Sequence, residues 1–374
     1  MKRDFLFFLT ARQTGLRSSL AILLLGLAGW LILPGYAGPL VVYVSESGDN
    51  RIAQFVVDET TGDLKRVGAI DLPGAPGSLD IRDDRTRLYA AVRSTVEFAS
   101  IVVDPATGAL SGAVMAPSGV NSAYVHLDRT EKWLLSASYS DGVVSVSRIA
   151  EGVVTGPPVS TLTTGKRAHC IVTDPANRFA LVPHVMDLNK VEQIRFDATT
   201  GKIESNQPPH TPGADGAGPR HLAFHPNGKW VYLVNEQGQS VTHCDYDAAA
   251  GRLSLRDTVS TTPPEWDKSK GSCADIHVSA DGRFVYASNR GHDSLAVFSI
   301  HPETGALTSL GQTPTEKTPR SFALLPGGEK FVVSAGQGSD TLIVYRRDPE
   351  TGALTPLKTY PCGKSPAWVL GVKF

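Results

Sequence analysis

The chain has 374 residues, of which 36 are Lys or Arg and 37 are Asp or Glu, so its formal net charge is -1 at pH 7. A balanced charge argues against a nucleic-acid-binding protein, which would usually carry a basic excess. Hydrophobic residues make up 41% of the chain, enough for a substantial core, and the 36 glycines and 25 prolines are typical of many short strands joined by turns.

The first 37 residues differ from the rest of the chain. Four basic residues precede an uncharged apolar run from Ser19 to Leu33, and the small residues Gly35 and Ala37 follow it. This order predicts a secretory signal peptide over residues 1–37, and hence a periplasmic or secreted protein. The run is shorter than the ~20 residues of a membrane-spanning helix, so an uncleaved membrane anchor is the alternative. A start codon assigned too far upstream is the third option, and it would leave the protein cytoplasmic.

A short motif, Asp-x-x-Thr-Gly-x-Leu, recurs through the rest of the chain. Its six copies begin at Asp58, Asp104, Asp197, Asp247, His301 and Asp348. A degenerate copy near Arg148 fills the one double-length gap, which gives seven copies with a period of about 48 residues. Glycine supplies a positive φ, and Asp and Thr side chains bond local amides, so the motif predicts a hairpin turn without chemistry. A period of this length, rich in short strands, predicts a β-propeller.

A second repeat consists of an apolar strand, a polar turn and another apolar strand. The copy from Gly216 to Glu236 reads GAGPRHLAFHPNGKWVYLVNE. Half copies stand at the two ends: VVYVSES near Val41 has no first strand, and SPAWVLGVKF, residues 365–374, has no second. Pairing of the two halves would close a ring and remove its edges. Residues 38–374 are therefore predicted to form an all-β, seven-bladed propeller with four antiparallel strands per blade, closed by the C-terminal strand on the N-terminal strands.

Polar residues gather at the end of these hairpins away from the turn. Since residues equidistant from a turn lie opposite each other, Arg220 should face Asn235 or Glu236. The same construction brings His169 near His184, Asp275 near Asn289, and Arg320 near Gly336. If the first strand of each hairpin is innermost, these ends form one rim of the central channel, where convergent polar groups indicate a binding site. The residues predicted to be catalytic are His169, Arg220, Glu236 and Arg320. Those predicted to bind substrate are Tyr139, Asp275, Arg290 and Gln337.

These residue types suit one kind of chemistry. Arginines bind carboxylate or phosphate through paired N–H donors and can stabilise an oxyanion. A histidine or a glutamate can act as a general base toward water. The four cysteines are widely spaced, and neither zinc-ligand spacing nor a G-x-S-x-G motif occurs, so a serine hydrolase and a zincin are disfavoured. No metal or other cofactor is expected. Opening or closing of a small acidic lactone fits this set. Tyr139 and Trp368 are either walls of the site or core aromatics.

Four segments of the chain resemble a known family. GAGPRHLAFHPNGKWVYLVNE, ADIHVSADGRFVYASNR, TPRSFALLPGGEKFVVSAGQ and the closing SPAWV are similar to the bacterial seven-bladed propeller 6-phosphogluconolactonases, a family that includes fungal carboxymuconate-lactonising cycloisomerases. The resemblance runs from about Val41 to Val372. It implies hydrolysis of 6-phospho-D-glucono-1,5-lactone to 6-phospho-D-gluconate without a required metal. It also implies that a His, two Arg and a Glu on one face of the channel, here His169, Arg220, Glu236 and Arg320, form the site.

Several alternatives stay open at the level of the sequence. An exported enzyme would need another substrate, such as unphosphorylated gluconolactone. A muconate-type cycloisomerase would use the same arginines on substrate carboxylates. A non-catalytic exported propeller would bind a partner through its rim, and a metal-dependent lactonase would use Glu236, Asp275 and Asn289. The expected protein is a monomer that acts on a small molecule and touches a membrane only through an uncleaved N-terminal segment.

Overall fold

The computed structural model describes residues 38–374, and the predicted signal peptide or anchor, residues 1–37, lies outside the described residues. Within that range, 28 strands form seven four-stranded antiparallel sheets. Blade 1 contains β1 (Leu40–Glu46), β2 (Arg51–Val57), β3 (Leu64–Asp71) and the last strand of the chain. Blade 2 contains β4 (Pro76–Ile81), β5 (Arg87–Val92), β6 (Glu97–Val103) and β7 (Leu110–Pro117).

The next three blades repeat this order. Blade 3 contains β8 (Ser122–Leu127), β9 (Trp133–Ser138), β10 (Val143–Ala150) and β11 (Val153–Thr163). Blade 4 contains β12 (Val172–Thr173), β13 (Phe179–His184), β14 (Lys190–Asp197) and β15 (Lys202–Pro212). Blade 5 contains β16 (Pro219–Phe224), β17 (Trp230–Asn235), β18 (Ser240–Asp247) and β19 (Arg252–Ser260).

The last two blades complete the ring. Blade 6 contains β20 (Ser272–Val278), β21 (Phe284–Arg290), β22 (Ser294–Ile300) and β23 (Leu307–Pro314). Blade 7 contains β24 (Pro319–Leu324), β25 (Phe331–Gly336), β26 (Thr341–Arg347) and β27 (Leu354–Pro361), and β28 (Pro366–Lys373) returns to blade 1. Three short 3-10 helices lie in loops, at Ser47–Asp49, Met186–Leu188 and Lys268–Lys270.

The ring closes where the two ends of the chain meet. Strand β28 pairs with β1 in antiparallel register, with Val42 opposite Gly371 and Val44 opposite Val369. The sheet order of blade 1 is therefore β28-β1-β2-β3, so the C-terminal segment supplies the innermost strand that the N-terminal segment lacks. The prediction of a seven-bladed, all-β propeller closed by its termini is confirmed.

The core lies between neighbouring blades. Seven clusters of buried apolar side chains occupy the interfaces, one for each pair of adjacent blades. Blades 5 and 6, for example, share a cluster in which Tyr232 packs with Val285 and Phe298. Because both faces of inner strands such as β1 and β2 are covered by neighbouring sheets, these strands alternate only weakly between apolar and polar residues, whereas outermost strands such as β3 are largely exposed. This explains the apolar runs in the sequence.

The turn formed by the short repeated motif packs against the neighbouring blade. The motif lies between the third and fourth strands, and in blade 6 its glycine, Gly305, has a φ of +75°. A Cβ on Gly305 would lie 2.5 Å from the Trp230 ring of blade 5, so both its conformation and its contact require glycine. The Tyr232 hydroxyl donates a hydrogen bond of 2.8 Å to the Gly305 carbonyl. The motif is therefore structural.

Two further features concern the environment of the protein. No helix in the described range is both long and apolar enough to cross a membrane. All four cysteines are unpaired: Cys170, Cys244 and Cys273 are buried and Cys362 is half-buried. Burial raises the pKa of the Cys170 thiol to about 12, so this residue is inert as a nucleophile.

Candidate active site

Each innermost strand carries one extra residue near its first paired position. In blade 5, Pro219 pairs with Asn235 and His221 with Val234, so Arg220 has no partner in the ladder. Such a β-bulge bends the strand and re-aims a side chain. The equivalent residues of the seven blades, which we call the bulge ring, are Ala367, Gly77, Ala123, His169, Arg220, Ala274 and Arg320.

A second ring follows the end of the second strand of each blade. In blade 5, Asn235 is the partner of Pro219, and Glu236 comes directly after it. The equivalent residues, which we call the loop ring, are Ser47, Arg93, Tyr139, Val185, Glu236, Arg290 and Gln337. Each of these residues lies beside the bulge-ring residue of its own blade. The two rings together form the rim of the channel.

A cavity of about 360 Å³ lies at the centre of this rim. Six of the seven bulge-ring residues line it, and only Ala274 does not. From the loop ring, Ser47, Arg93 and Gln337 line it, and these belong to the adjacent blades 1, 2 and 7. The cavity is therefore lopsided: His169 and Arg220 bound it on one side, and it extends over blades 7, 1 and 2 on the other.

Aromatic rings form the floor of the cavity. His221 and Trp368 both line it, with ring centroids 5.9 Å apart. Tyr124 packs edge-on against both, at 5.4 Å from His221 and 5.3 Å from Trp368. A second cavity of about 300 Å³ shares Trp368 with the first. The aromatic floor thus divides the channel into an upper compartment, which is the cavity of about 360 Å³, and a lower compartment, which is the cavity of about 300 Å³. The predicted catalytic residues His169, Arg220 and Arg320 line the upper compartment.

Arg220 is held rigidly although its side chain is only 1% exposed. Its Nε lies 2.9 Å from Glu236 Oε2, and one terminal nitrogen donates both to the Ala274 carbonyl and to His221 Nε2, the latter at 3.1 Å. Since an arginine can only donate, His221 Nε2 accepts, and its Nδ1–H donates to Asp275 Oδ1 at 2.9 Å. Arg220 is therefore a fixed, buried cation at the edge of the cavity.

His169 has the opposite character. The Nδ1 atom of its imidazole is buried and has no hydrogen-bond partner among the described residues. The ring packs edge-on against Tyr139 at 5.6 Å and against His221 at 5.1 Å. Burial, together with the charges of Arg220 and Arg320, holds the pKa of His169 well below its usual value. The imidazole is therefore neutral at pH 7 and able to accept a proton.

The rim has an excess of positive charge. Glu236 binds Arg220 through one oxygen and Arg290 through the other, at 3.4 Å. Arg320 makes no hydrogen bond or ion pair with any residue in the described range. Burial, followed by the charges of Arg290 and Arg93, lowers the pKa of Arg320 to about 10, and Glu236 opposes this effect. A single carboxylate thus faces several arginines, which favours an anionic ligand.

The structure brings most of the predicted site residues together. His169, Arg220 and Arg320 belong to the bulge ring, whereas Tyr139, Glu236, Arg290 and Gln337 belong to the loop ring. Of the latter, Gln337 lines the cavity, and the Arg290 guanidinium donates to the Cys273 carbonyl at 2.7 Å.

Asp275 occupies a different level from the other predicted site residues. The bulge of β20 places Cys273, rather than Asp275, opposite Asn289. Asp275 is 4% exposed and binds His221 at 2.9 Å, Ser321 at 3.1 Å and His277 at 3.4 Å. It lines the lower compartment and holds the floor in place. The predicted proximity of Asp275 to Asn289 is therefore wrong, and Asp275 instead contacts His221, which in turn accepts from Arg220. The role of Asp275 in binding substrate stays a prediction.

Sequence reasoning missed Arg93 and His221 as site residues. Arg93 lines the cavity and occupies the loop-ring position of blade 2, equivalent to Glu236 in blade 5. The signal was present in the repeat, because GSLDIRDDRTRLYAAVR closes on Arg93 as GAGPRHLAFHPNGKWVYLVNE closes on Glu236. His221 follows Arg220 in the chain, and only the bulge shows that both side chains reach the cavity.

The proposed metal ligands do not meet. Within residues 38–374, no three His, Cys, Asp or Glu side chains are placed to hold a metal ion. Asn289 donates to the Thr261 carbonyl at 2.9 Å and to Ser294 at 3.1 Å, while Glu236 is engaged by arginines. The geometry offers no support for the metal-dependent alternative, since Glu236, Asp275 and Asn289 each have separate protein partners.

Comparisons with known proteins agree with this fold and site. The family model described as "Lactonase, 7-bladed beta-propeller" matches residues 40–371. A 6-phosphogluconolactonase of Pectobacterium carotovorum is 35% identical over 77% of this chain and 86% of its own length. One of Serratia proteamaculans is 33% identical over 75% of this chain and 84% of its own length. The solved periplasmic gluconolactonase of Pseudomonas aeruginosa is 26% identical, with a TM-score of 0.80 over 89% of this chain and 98% of its own.

Proposed function

The chain belongs to the family of seven-bladed β-propeller lactonases, and from this we propose that it hydrolyses a sugar lactone, 6-phospho-D-glucono-1,5-lactone, to 6-phospho-D-gluconate. The family resemblance seen in the sequence is confirmed by the match over residues 40–371. A propeller scaffold hosts many chemistries, so the substrate has to be argued from the site. One observation carries the argument: the cavity lining contains three arginines and no Asp or Glu.

Arg220 is the group that meets the lactone carbonyl. Its guanidinium is fixed by Glu236, by the Ala274 carbonyl and by His221 before any substrate arrives. Attack on the carbonyl carbon moves negative charge onto the carbonyl oxygen, and a pre-positioned cation in a buried site stabilises that charge. Loss of one such donor typically costs roughly 10²- to 10³-fold in rate.

His169 is the group that activates water. A water oxygen forms a bond to the carbonyl carbon while one water proton passes to the neutral imidazole of His169. When the tetrahedral intermediate collapses, the bond between this carbon and the ring oxygen breaks, and the proton returns to that oxygen as a hydroxyl. The product carboxylic acid then ionises. Glu236 is a weaker candidate for the base, because both of its oxygens are already bound by arginines.

Export would change the identity of the lactone. The apolar leader-like segment at residues 19–33 supports a periplasmic or secreted protein, where unphosphorylated gluconolactone would be the substrate. The similarity to the periplasmic gluconolactonase of Pseudomonas aeruginosa favours this second candidate. N-terminal sequencing of the protein from its native host tests whether the segment is a cleaved export signal. A mature chain that begins at Gly38 supports export, and an intact leader on a cytoplasmic protein contradicts it.

The decisive experiment measures hydrolysis of both lactones side by side. The chain of residues 38–374 is assayed by acid release at constant pH, with the spontaneous rate subtracted, for 6-phosphogluconolactone and gluconolactone. We expect turnover of the phosphorylated lactone, and loss of this turnover in Arg220→Ala, with Arg195→Gln on the outer part of blade 4 as a control. Turnover of neither lactone would refute the proposed function, and an isomerised product would indicate a cycloisomerase.

A further inference from the structure

The unequal sizes of the bulge-ring side chains leave space on one side of the cavity. Blades 4, 5 and 7 contribute His169, Arg220 and Arg320, whereas blades 1, 2 and 3 contribute Ala367, Gly77 and Ala123. A side chain of one carbon or none leaves room for a ligand. If the lactone carbonyl lies against Arg220, the remainder of the substrate extends toward blades 1 and 2.

Arg93 of blade 2 points a half-buried cation into this space. Its Nε donates to Asn121 Oδ1 at 3.3 Å, and its methylene groups lie beside Gly77, where a Cβ would be 3.2 Å from the Arg93 Cδ atom. Arg93 has no carboxylate partner among residues 38–374. Burial lowers the pKa of Arg93 from its usual value, as expected for a cation that is partly removed from water without a counter-ion.

Arg320 approaches the same space from the other side. Blade 1 lies between blades 7 and 2, so Ala367 is flanked by Arg320 on one side and by Arg93 on the other. Arg320 likewise has no ion-pair partner in the described part of the chain. Two cations that face one gap without a carboxylate of their own repel each other, and an anion between them would remove this repulsion.

We propose that Arg93 and Arg320 form a phosphate-binding subsite over Ala367, which fixes the distal end of the substrate while Arg220 and His169 act on the lactone. The assignment of a phosphorylated sugar rests on the proposed function, but the oxyanion subsite itself does not. It makes Arg93 a determinant of specificity for the phosphorylated lactone.

Two polar side chains beside Arg93, those of Ser94 and Asn121, have hydrogens that a phosphate can accept. Ser94 Oγ accepts from the Ala75 amide at 2.8 Å, which leaves its hydroxyl proton free to donate. Asn121 Oδ1 accepts from Arg93, and the backbone N–H of Asn121 donates to Asp141 Oδ2 at 2.9 Å, whereas its side-chain N–H groups have no hydrogen-bond partner in residues 38–374. A phosphate dianion presents several acceptor oxygens to such a set, and paired guanidinium donors are suited to its geometry.

The test compares ligand binding in four variants by titration calorimetry. Arg93→Gln removes the positive charge. Arg93→Lys keeps the charge but loses the paired N–H donors of the guanidinium. Ala367→Val fills the space between the two arginines and leaves both of them unchanged. Arg195→Gln, an exposed partner of Glu204 on blade 4, is the control. The ligands are 6-phosphogluconate, gluconate and inorganic phosphate, and thermal unfolding of each variant verifies that it is folded.

We expect Arg93→Gln and Ala367→Val to weaken binding of 6-phosphogluconate roughly 10- to 100-fold, the range of a charge-assisted hydrogen bond. Arg93→Lys should fall between wild type and Arg93→Gln. In kinetics, the preference for the phosphorylated lactone over gluconolactone should fall by the same factor, mainly through KM. Unchanged phosphate affinity in folded Arg93→Gln and Ala367→Val, or an equal loss for gluconate, would overturn the subsite. A wild-type protein that binds 6-phosphogluconate through Arg93 but hydrolyses no lactone would instead refute the proposed function alone.

Discussion

Replacement of Glu236 by Gln tests whether this carboxylate positions Arg220. The amide keeps the shape of the side chain but removes the charge that lies 2.9 Å from Arg220 Nε and 3.4 Å from Arg290. Arg220 is 1% exposed, so its charge cannot be solvated by water when its partner is lost. Burial and the charges of Arg320 and Arg290 already lower the pKa of Arg220 from its usual value, and Glu236 is the largest influence that opposes them.

The expected magnitude follows from the exposure of the pair. Breaking a fully buried ion pair costs about 3–5 kcal/mol, and the 18% exposure of the Glu236 side chain reduces the free-energy loss to about 2–3 kcal/mol. For a domain of this length the entropy of unfolding is about 0.7 kcal/mol/K, so Tm should fall by about 3–4 °C. Because Arg220 loses the group that orients it, kcat/KM should fall roughly 10²- to 10³-fold.

A surface ion pair on the same blade supplies the control. Arg256 and Asp245 form a pair of 2.6 Å whose side chains are 58% and 37% exposed. Asp245→Asn removes a carboxylate from an arginine, as Glu236→Gln does, but in water, where such pairs contribute about 0–1 kcal/mol. We expect unchanged kcat/KM and a Tm within ~1 °C of wild type. If Glu236→Gln retained kcat/KM within threefold of wild type, the positioning role would be wrong.

Three further predictions test the rest of the site. His169→Gln should lower kcat by roughly 10²- to 10⁴-fold. The wild-type rate should fall only well below pH ~6.5, because the neutral imidazole is the active form and the pKa of His169 is lowered. Full activity of His169→Gln in a pH-rate series would exclude His169 as the base. In Asp275→Asn, Tm should fall more at pH 5.5 than at pH 8.5. Burial would raise the pKa of Asp275, but the charge of His277 and the hydrogen bond from His221 hold this pKa low. The Asp275 carboxylate therefore stabilises the fold above pH ~3.9, and its contribution is lost as the pH falls through the lowered pKa. Burial opposes a charge on His277, but Asp275 raises the pKa of this histidine. The contribution of His277 to stability is therefore complete below pH ~6.5 and is lost as the pH rises through the raised pKa. An equal loss of Tm in Asp275→Asn at pH 5.5 and pH 8.5 would contradict the pairing of these two residues. Dialysis against a chelator should leave lactone hydrolysis unchanged, and a loss restored by a divalent cation would show that a metal is required.

The fold could be predicted because the information is repeated. Each copy of the short motif marks one turn, so the number of copies predicts the number of blades. The half copies at the two termini predict closure, which the pairing of Val42 with Gly371 reproduces. A feature that occurs in one blade alone is much harder to predict. The innermost strand of blade 4 has only two residues, Val172–Thr173, because His169 and its neighbours do not continue the hydrogen-bonded pairing with β13.

The site was harder to predict because a single extra residue shifts the register. Counting from the turn places Asp275 beside Asn289, whereas the bulge gives that place to Cys273 and sends Asp275 below the floor. The shift of one residue reverses the side of a strand on which a side chain lies. Arg220 and Glu236 still meet, because the bulge moves Arg220 toward the loop that carries Glu236. The repeat did carry a signal, because the step of 54 residues between the motif copies of blades 5 and 6 aligns Ala274 with Arg220 and Asp275 with His221.

Different blades contribute the residues proposed for catalysis and those proposed for anion binding, on opposite sides of the cavity. Blades 4 and 5 contribute His169 and Arg220, so we expect bond breaking on that side. Blades 7, 1 and 2 contribute Arg320, Ala367 and Arg93, so we expect the anionic end of the substrate to bind on the other. The two sides are coupled by charge, because Arg320, one of the two arginines proposed to bind the phosphate, also lowers the pKa of His169. A bound phosphate offsets part of that positive charge, and the imidazole then becomes a stronger base when the substrate is in place. We expect this coupling to add a small kcat contribution to a selectivity for the phosphorylated lactone that acts mainly through KM.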